Sequence, residues 1–136
     1  MSDRKTALVL GGTGMVGSNL LRLLESAEDW DLIAVSRRAP SFPTRASHIA
    51  CDMSNREDCR SKFAGLESVT HIFYCGHVPG IEWVDKVSQD TELLENTLTV
   101  LEPRLSQLEH VCLLQGSKYY GRHLGPFKTP AKESDC

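Results

Sequence analysis

The residues best suited to bind a ligand lie in a glycine-rich segment near the N-terminus, residues 8–17. An apolar run of the β type leads into this segment, spaced glycines cross it, and an amphipathic helix pattern follows. A turn that opens a helix directs backbone N–H groups and the positive end of the helix dipole at one point, where a phosphate group binds. Any Cβ there would hold a pyrophosphate away from the backbone. The segment therefore predicts the phosphate-binding turn of a dinucleotide site.

The glycines of this turn fit two spacings, which the residues alone leave open. Gly12, Gly14 and Gly17 match the general dinucleotide fingerprint Gly-x-Gly-x-x-Gly, whereas Gly11, Gly14 and Gly17 stand three residues apart. An ordinary glycine turn is the alternative, and the strand before it and helix after it favour nucleotide binding. The other residues predicted to bind the cofactor here are Thr13, Met15 and Val16.

Two arginines, Arg37 and Arg38, follow the second predicted strand, residues 31–36. In a doubly wound sheet, the C-terminal end of this strand lies beside the adenosine ribose. A carboxylate there selects the free 2′-hydroxyl of NAD, and an arginine accommodates the 2′-phosphate of NADP. The strand end offers two guanidiniums and no acid, because Asp31 stands at the opposite end. The pair favours NADP(H), with a solvated basic pair as the alternative.

An acidic residue followed by an apolar one, Asp52-Met53, closes the third predicted strand, residues 47–51. This placement suits the adenine, with the carboxylate on the exocyclic amine and the Met53 side chain against the ring. Asp52 fits equally well as the cap of a helix that begins at Ser54, and both interpretations stay open.

The fourth predicted strand, residues 69–75, runs into a glycine-rich break. The C-terminal ends of such strands line the ligand crevice, so Cys75, Gly76 and His77 are expected near the cofactor. For His77, a loop histidine without a role is an equal alternative.

Composition describes one ordinary globular domain, with 136 residues, 40% hydrophobic content and a net charge of −3. No basic bias argues for nucleic acid, and no apolar run is long enough to span a membrane. The first residues lead into a strand and not into a secretion signal, so a cytoplasmic location is expected. The five cysteines and five histidines are scattered, so neither a metal site nor structural disulfides are expected.

Hydrophobic periodicity predicts an α/β fold in which five strands alternate with helical segments. The strands at 6–10, 31–36, 47–51, 69–75 and 110–115 should form a doubly wound, Rossmann-type parallel sheet in the order 3-2-1-4-5, with helices on both faces. Helices are predicted at 14–27, 54–63 and 82–105. Residues 1–127 are assigned to the NADP-binding domain and residues 128–136 to an irregular tail.

The longest predicted helix, residues 82–105, carries an apolar stripe that should pack on the sheet or on a partner. The stripe consists of Val84, Val87, Leu94, Leu98, Leu101 and Leu105. Asn96 lies off the stripe and is interpreted as structural. Pro103 should bend or stop the helix near its end.

Several segments together resemble the extended short-chain dehydrogenase/reductase superfamily. Within it, the chain is similar to the progesterone 5β-reductase and iridoid synthase group, whose bacterial and fungal relatives are often labelled NAD-dependent epimerase/dehydratase. The segments are residues 11–17, 35–38, 51–53, 70–74 and, as the most distinctive block, 114–121 with 125–127. In that block a lysine precedes Tyr-Tyr and a later Gly-Pro-Phe, whereas ordinary short-chain enzymes use Tyr-x-x-x-Lys. The resemblance favours the spacing Gly11, Gly14, Gly17.

The resemblance implies NADPH-dependent reduction of the carbon–carbon double bond of enones, or of related carbonyl compounds. In the family, hydride goes to the β-carbon while a tyrosine hydroxyl stabilises the developing enolate oxygen. Lys118 matches the family's lysine, whose charge would hold the nicotinamide ribose and support that tyrosine. Gln115, in the same block, is assigned to the cofactor site.

The sequence departs from the family pattern in two places. Cys75-Gly76-His77 stands where the plant enzymes carry Val-Thr-Trp, and the 136 residues contain neither the downstream Asn-Phe-Tyr-Tyr segment with the catalytic tyrosine nor a Tyr-x-x-x-Lys. The chain is therefore expected to be truncated relative to the family. The interpretations left open are a reductase that retains Lys118, a non-catalytic NADP-binding module, and a half-domain completed by another chain or a second copy.

Overall fold

A parallel sheet of five strands forms the centre of the fold. The computed structural model describes residues 4–80, 83–121, 124–126 and 128–135. The strands are β1 (Lys5–Leu10), β2 (Trp30–Ser36), β3 (Ser47–Ala50), β4 (His71–Tyr74) and β5 (His110–Leu113). The helices are α1 (Met15–Leu24), α2 (Arg56–Lys62) and α3 (Trp83–Leu101). The strand order is β3-β2-β1-β4-β5, which confirms the predicted topology.

The central strand β1 is buried on both faces, as its uninterrupted apolar run predicts. Ala7 and Val9 face one side, where they join a cluster with Leu21 of α1. Leu8 and Leu10 face the other side, where the second cluster includes residues of α2 and α3. Helices therefore cover both faces of the sheet, and the doubly wound Rossmann-type fold is confirmed.

Helix α1 ends at Leu24, earlier than the predicted residue 27, because an arginine from a distant loop caps it. The Arg45 guanidinium donates to the carbonyl oxygens of Leu24 (2.9 Å) and Ala27 (2.8 Å), and also to that of Trp30 (2.7 Å). These bonds satisfy carbonyl groups that the end of a helix leaves without partners. The cap comes from residues that local periodicity does not connect to the helix.

The stripe predicted for α3 is correct in its second half and wrong at Val87. Val87 is 54% exposed, whereas Leu101 and Leu105 are buried and Leu94 and Leu98 pack against the core. The buried face also takes in positions that the stripe omitted, namely Leu93, Asn96, Thr97 and Val100. The reason is geometric, because only the C-terminal half of the helix lies against the sheet cluster. The Val84 side chain and residue 82 fall outside the described part of the structure.

The end of α3 follows the prediction for Pro103. The α-helix stops at Leu101, and a single 3₁₀ turn, Glu102–Arg104, carries the proline. Among the described helices, none combines the length and apolar character that a membrane crossing needs.

Candidate functional site

A cleft of about 640 Å³ lies at the C-terminal ends of strands β1 to β4. This is the position at which open α/β sheets bind ligands. The predicted site residues that line it are Gly11, Thr13, Gly14, Arg37, Asp52, Met53, Cys75, Gly76 and His77. Three residues of α3, namely Gln89, Glu92 and Leu93, line it as well and were missed by the sequence analysis. Their helix was predicted, but which of its sides faces the cleft depends on tertiary packing.

Two glycines after β1, Gly11 in the turn and Gly17 in the first turn of α1, are required by the protein's own backbone. Gly11 has a φ of +83°, and a Cβ on it would lie 2.9 Å from backbone atoms of Cys75 and Gly76. A Cβ on Gly17 would lie 2.2 Å from the carbonyl oxygen of Gly11. Gly12 has a packing role, because a Cβ there would be 3.0 Å from that of Ala34. These glycines let α1 start close to the sheet.

Gly14 differs from the other glycines of the turn, because its nearest protein atom leaves room for a side chain. A Cβ on Gly14 would lie 3.4 Å from the carbonyl oxygen of Gly11, and Gly14 lines the cleft. Its φ is −71°, which any residue adopts. The absence of a side chain here keeps open the space in front of the helix, so the cradle suits a ligand that approaches the backbone.

The N-terminus of α1 offers backbone donors to that space. Gly14 is the N-cap residue, no side chain of the described residues caps the helix, and the first turn contains no acidic residue. The N–H groups of a first helical turn have no acceptor within the helix, and they attract anions. The side chains of Met15 and Val16 are 81% and 45% exposed. Because both side chains are apolar, any hydrogen bond that these two residues make to a phosphate comes from their backbone N–H groups.

A second cavity, of about 360 Å³, is lined by Thr13, Arg37 and Arg38. In the described part of the chain, neither arginine forms an ion pair with a carboxylate. The backbone that carries them is held by Ser36, whose hydroxyl donates to the carbonyl oxygen of Arg38 at 2.7 Å. The site therefore presents two exposed cationic groups at the end of β2.

Asp31 occupies the opposite end of β2, as predicted. Its carboxylate accepts a hydrogen bond from Arg4 at 2.6 Å. This bond lowers the pKa of Asp31 and raises that of Arg4. Asp31 therefore cannot supply the acid that selects a free ribose hydroxyl at the other end of the strand.

Asp52 presents an ionised carboxylate at the cleft wall. Its Oδ1 accepts hydrogen bonds from the Ser54 hydroxyl (2.7 Å) and the Ser54 backbone N–H (3.0 Å). These bonds, with the nearby charge of Arg37, hold the pKa of Asp52 below its usual value. The alternative role as the cap of α2 is wrong, because Asn55 caps that helix by accepting from the N–H groups of Glu57 and Asp58.

Asn96 of α3 positions the loop that follows β3. Its side-chain amide donates to the carbonyl oxygens of Met53 and Ser54, both at 3.2 Å, and its Oδ1 accepts from Arg56 at 3.2 Å. All three hydrogen bonds hold the cleft wall from behind. This geometry agrees with the structural role predicted for Asn96.

The loop after β4 is held at both ends. The backbone N–H of Cys75 donates to the carbonyl oxygen of Leu10 at 2.8 Å, and that of Val78 donates to Asp90 Oδ1 at 2.6 Å. Lys86 donates to the Val78 carbonyl oxygen and pairs with Asp90 at 3.4 Å. A lysine and an aspartate four residues apart suggest a helical pair in the sequence, but not their shared partner in the loop.

The side chains near this loop are poorly suited to act as nucleophiles. Burial raises the pKa of the Cys75 thiol to about 11 and that of the Tyr74 hydroxyl to about 12. The Tyr74 hydroxyl is buried and has no hydrogen-bond partner in the described structure. His77 lies exposed at the mouth of the cleft. We therefore assign Cys75 to the wall of the cleft and not to covalent chemistry.

Gln115 and Lys118 lie outside the group that the cleft brings together. Both follow β5 and are exposed, and Lys118 belongs to a short 3₁₀ helix, Ser117–Tyr120. Neither residue lines the cleft. Their assignment to the cofactor stays a prediction. In the part of the chain that the structure describes, no three His, Cys, Asp or Glu residues form a group that could hold a metal ion.

The sequence is similar to a family of nucleotide-dependent enzymes and to individual members of known function. The profile of the NAD dependent epimerase/dehydratase family matches residues 7–135. A 3-oxo-Delta(4,5)-steroid 5-beta-reductase of Arabidopsis thaliana is 36% identical, with 93% of this chain and 34% of that protein aligned. An (S)-8-oxocitronellyl enol synthase of Catharanthus roseus is 34% identical over 88% of this chain and 31% of its own. The chain spans about a third of the length of these curated relatives.

Solved structures with low sequence identity share the fold. The Bordetella bronchiseptica enzyme WbmG, in complex with NAD, aligns over 97% of this chain and 43% of its own, with a TM-score of 0.75 and 16% identity. A short chain dehydrogenase of Burkholderia cenocepacia, in complex with NADP, aligns over 82% of this chain and 53% of its own, with a TM-score of 0.64 and 17% identity.

Proposed function

Because the chain belongs to the NAD dependent epimerase/dehydratase family, we propose that its cleft binds a nicotinamide dinucleotide, specifically NADP(H). One observation carries the proposal. The N-terminus of α1, with open space at Gly14, lies beside two guanidiniums that form no direct ion pair among the described residues. The first feature suits a pyrophosphate, and the second suits a 2′-phosphate.

Each part of the cofactor has a proposed position. The pyrophosphate takes the backbone N–H groups of the first turn of α1, Met15 to Gly17, because the Gly14 N–H already donates to the Gly11 carbonyl oxygen at 3.1 Å. The 2′-phosphate lies between Thr13 and the arginine pair. The adenine is placed against Met53, with the ionised Asp52 as the acceptor for its exocyclic amine. Cys75 and Gly76 continue the cleft from there toward the end of β4.

We propose that the chain derives from a reductase, because its relatives include a steroid reductase and an enol synthase by name. The bound cofactor would supply hydride to an enone or a related carbonyl compound. Lys118 is proposed to hold the nicotinamide ribose and Gln115 to contact the cofactor beside it. Residues 1–127 would form the nucleotide-binding domain, with residues 128–136 as a tail, in a cytoplasmic protein.

The open edge of the sheet favours a second candidate, a nucleotide-binding module without catalysis whose sheet is completed by another chain. Strand β5 pairs only with β4 in the described structure, and Val111, Leu113 and Leu114 are each about 40% exposed. Exposed apolar edge strands are sites where further strands or chains add to a sheet.

The proposal is tested by calorimetric titration of the full chain with NADPH and with NADH. We expect NADPH to bind more tightly, by about tenfold or more, because only NADPH carries the phosphate that the arginine pair would contact. Equal affinities would rule out the 2′-phosphate assignment. Absence of heat and of any shift in thermal unfolding with either nucleotide would rule out the cleft as a dinucleotide site.

A further inference from the structure

Two buried cysteines lie close to each other at the wall of the cleft. The Sγ atoms of Cys51 and Cys59 lie 3.9 Å apart, and the two residues are 2% and 0% exposed. Cys51 follows β3 and lines the cleft, whereas Cys59 lies in α2. Nothing in the proposed dinucleotide site uses this pair of thiols.

The two sulfur atoms lie at non-bonded contact distance. A disulfide needs an S–S distance of about 2.05 Å, so an approach of about 2 Å from the present separation closes it. The hydrogen bond from the Cys51 thiol raises the pKa of Cys51 and lowers that of Cys59, which favours a thiolate at Cys59. A thiolate is the form that reacts with oxidants. The two sulfur atoms are therefore close together, and the Cys51 proton is shared with the Cys59 sulfur.

We propose that Cys51 and Cys59 are a reversible oxidation site that forms an intramolecular disulfide when a hydroperoxide enters the cleft. One thiolate attacks a peroxide oxygen and breaks the O–O bond, so that its sulfur becomes a sulfenic acid and the hydroxide released takes up a proton to form water. The second sulfur then attacks the sulfenic sulfur and expels water. Overall, two thiols and one hydrogen peroxide give one disulfide and two waters.

The disulfide would restrain the wall that carries Asp52 and Met53. These residues lie in the nine-residue segment, 51–59, that the new bond would close. The Cys59 sulfur already contacts the carbonyl oxygens of Asp52 (4.0 Å) and Met53 (3.9 Å). A ligand in the cleft would cover the approach to Cys51. A bound ligand is therefore expected to slow the oxidation of the pair.

The experiment treats the dilute full chain with hydrogen peroxide and counts thiols after unfolding. We expect the five cysteines to fall to three reactive thiols, with full recovery on reduction. Trypsin cuts after Arg45, Arg56 and Arg60, so the product should contain the peptides 46–56 and 57–60 joined by a disulfide. Sulfinic acids, intermolecular disulfides or other cysteine pairs in place of this cross-link would overturn the proposal.

Cysteine variants and added NADP⁺ provide two further tests. Cys51→Ser and Cys59→Ser should each abolish the cross-link, whereas Cys75→Ser, which removes the other thiol that lines the cleft, should retain it. The peptide map of the unsubstituted chain decides the matter even where a variant fails to fold. NADP⁺ at ten times its dissociation constant should slow the formation of the disulfide about tenfold. This part of the experiment rests on the proposed function. An unchanged rate of disulfide formation with bound NADP⁺ would overturn the proposal that the hydroperoxide enters through the cleft. If the chain binds no NADP⁺, the proposed function fails, but the cross-link should still form.

Discussion

Gly17→Ala is expected to lower the free energy of unfolding by about 3 kcal/mol and to abolish dinucleotide binding. The new Cβ would lie 2.2 Å from the Gly11 carbonyl oxygen, so the turn and the start of α1 must separate. Alanine gains about 1 kcal/mol over glycine inside a helix, and this gain is smaller than the cost of the steric clash. Urea denaturation measures the change in stability, and calorimetry with NADPH measures the loss of binding.

Two other glycines provide controls for this prediction. Gly116→Ala should leave the free energy of unfolding within about 0.5 kcal/mol of the original, since no described residue other than its chain neighbours comes within 4 Å of its Cβ position. Gly14→Ala should retain the fold but weaken nucleotide binding, because its Cβ clears the protein and enters the cleft. A Gly17→Ala variant as stable as the original chain would contradict the tight packing described for the turn.

The double substitution Arg37→Ala, Arg38→Ala is expected to weaken NADPH binding by about 100-fold at low ionic strength. NADH binding should change by less than about threefold, because NADH lacks the 2′-phosphate. Both guanidiniums are exposed, so the effect should decrease as salt is added. Calorimetric titrations at two salt concentrations measure both dependences.

A charge-matched control separates specific contacts from the general field. Arg22 and Arg104 also lie at the surface and do not line the cleft. Their replacement by alanine removes the same charge and should reduce NADPH affinity by less than about threefold. Equal losses in the two double variants, or equal losses for NADPH and NADH, would remove the arginine pair from the site.

The parts of the fold predicted from sequence are those determined by local pattern. The apolar run of β1 and the glycines after it mark a strand, a turn and a helix start within a dozen residues. Alternation of strands with helices then limits the topology, and the order β3-β2-β1-β4-β5 follows. Since parallel strands present their C-terminal ends at one edge, the residues after β1 to β4 could be assigned to one cleft.

The parts that were missed depend on contacts between distant segments. Asn55 and not Asp52 caps α2, a choice between two short polar residues three positions apart that the backbone angles decide. Arg45 ends α1 from a loop twenty residues away. The side of α3 that reaches the cleft follows from its rotation against the core, so Gln89 and Glu92 carried no local signal.

The central claim is that the cleft at the ends of β1 to β4 holds the dinucleotide, and amide chemical-shift mapping during titration with NADP⁺ tests it most directly. We predict the largest shifts at residues 11–17, 36–38, 52–54 and 75–77, with saturation at one equivalent. Large shifts confined to β5 or to the outer face of α3, or no shifts at all, would contradict the account.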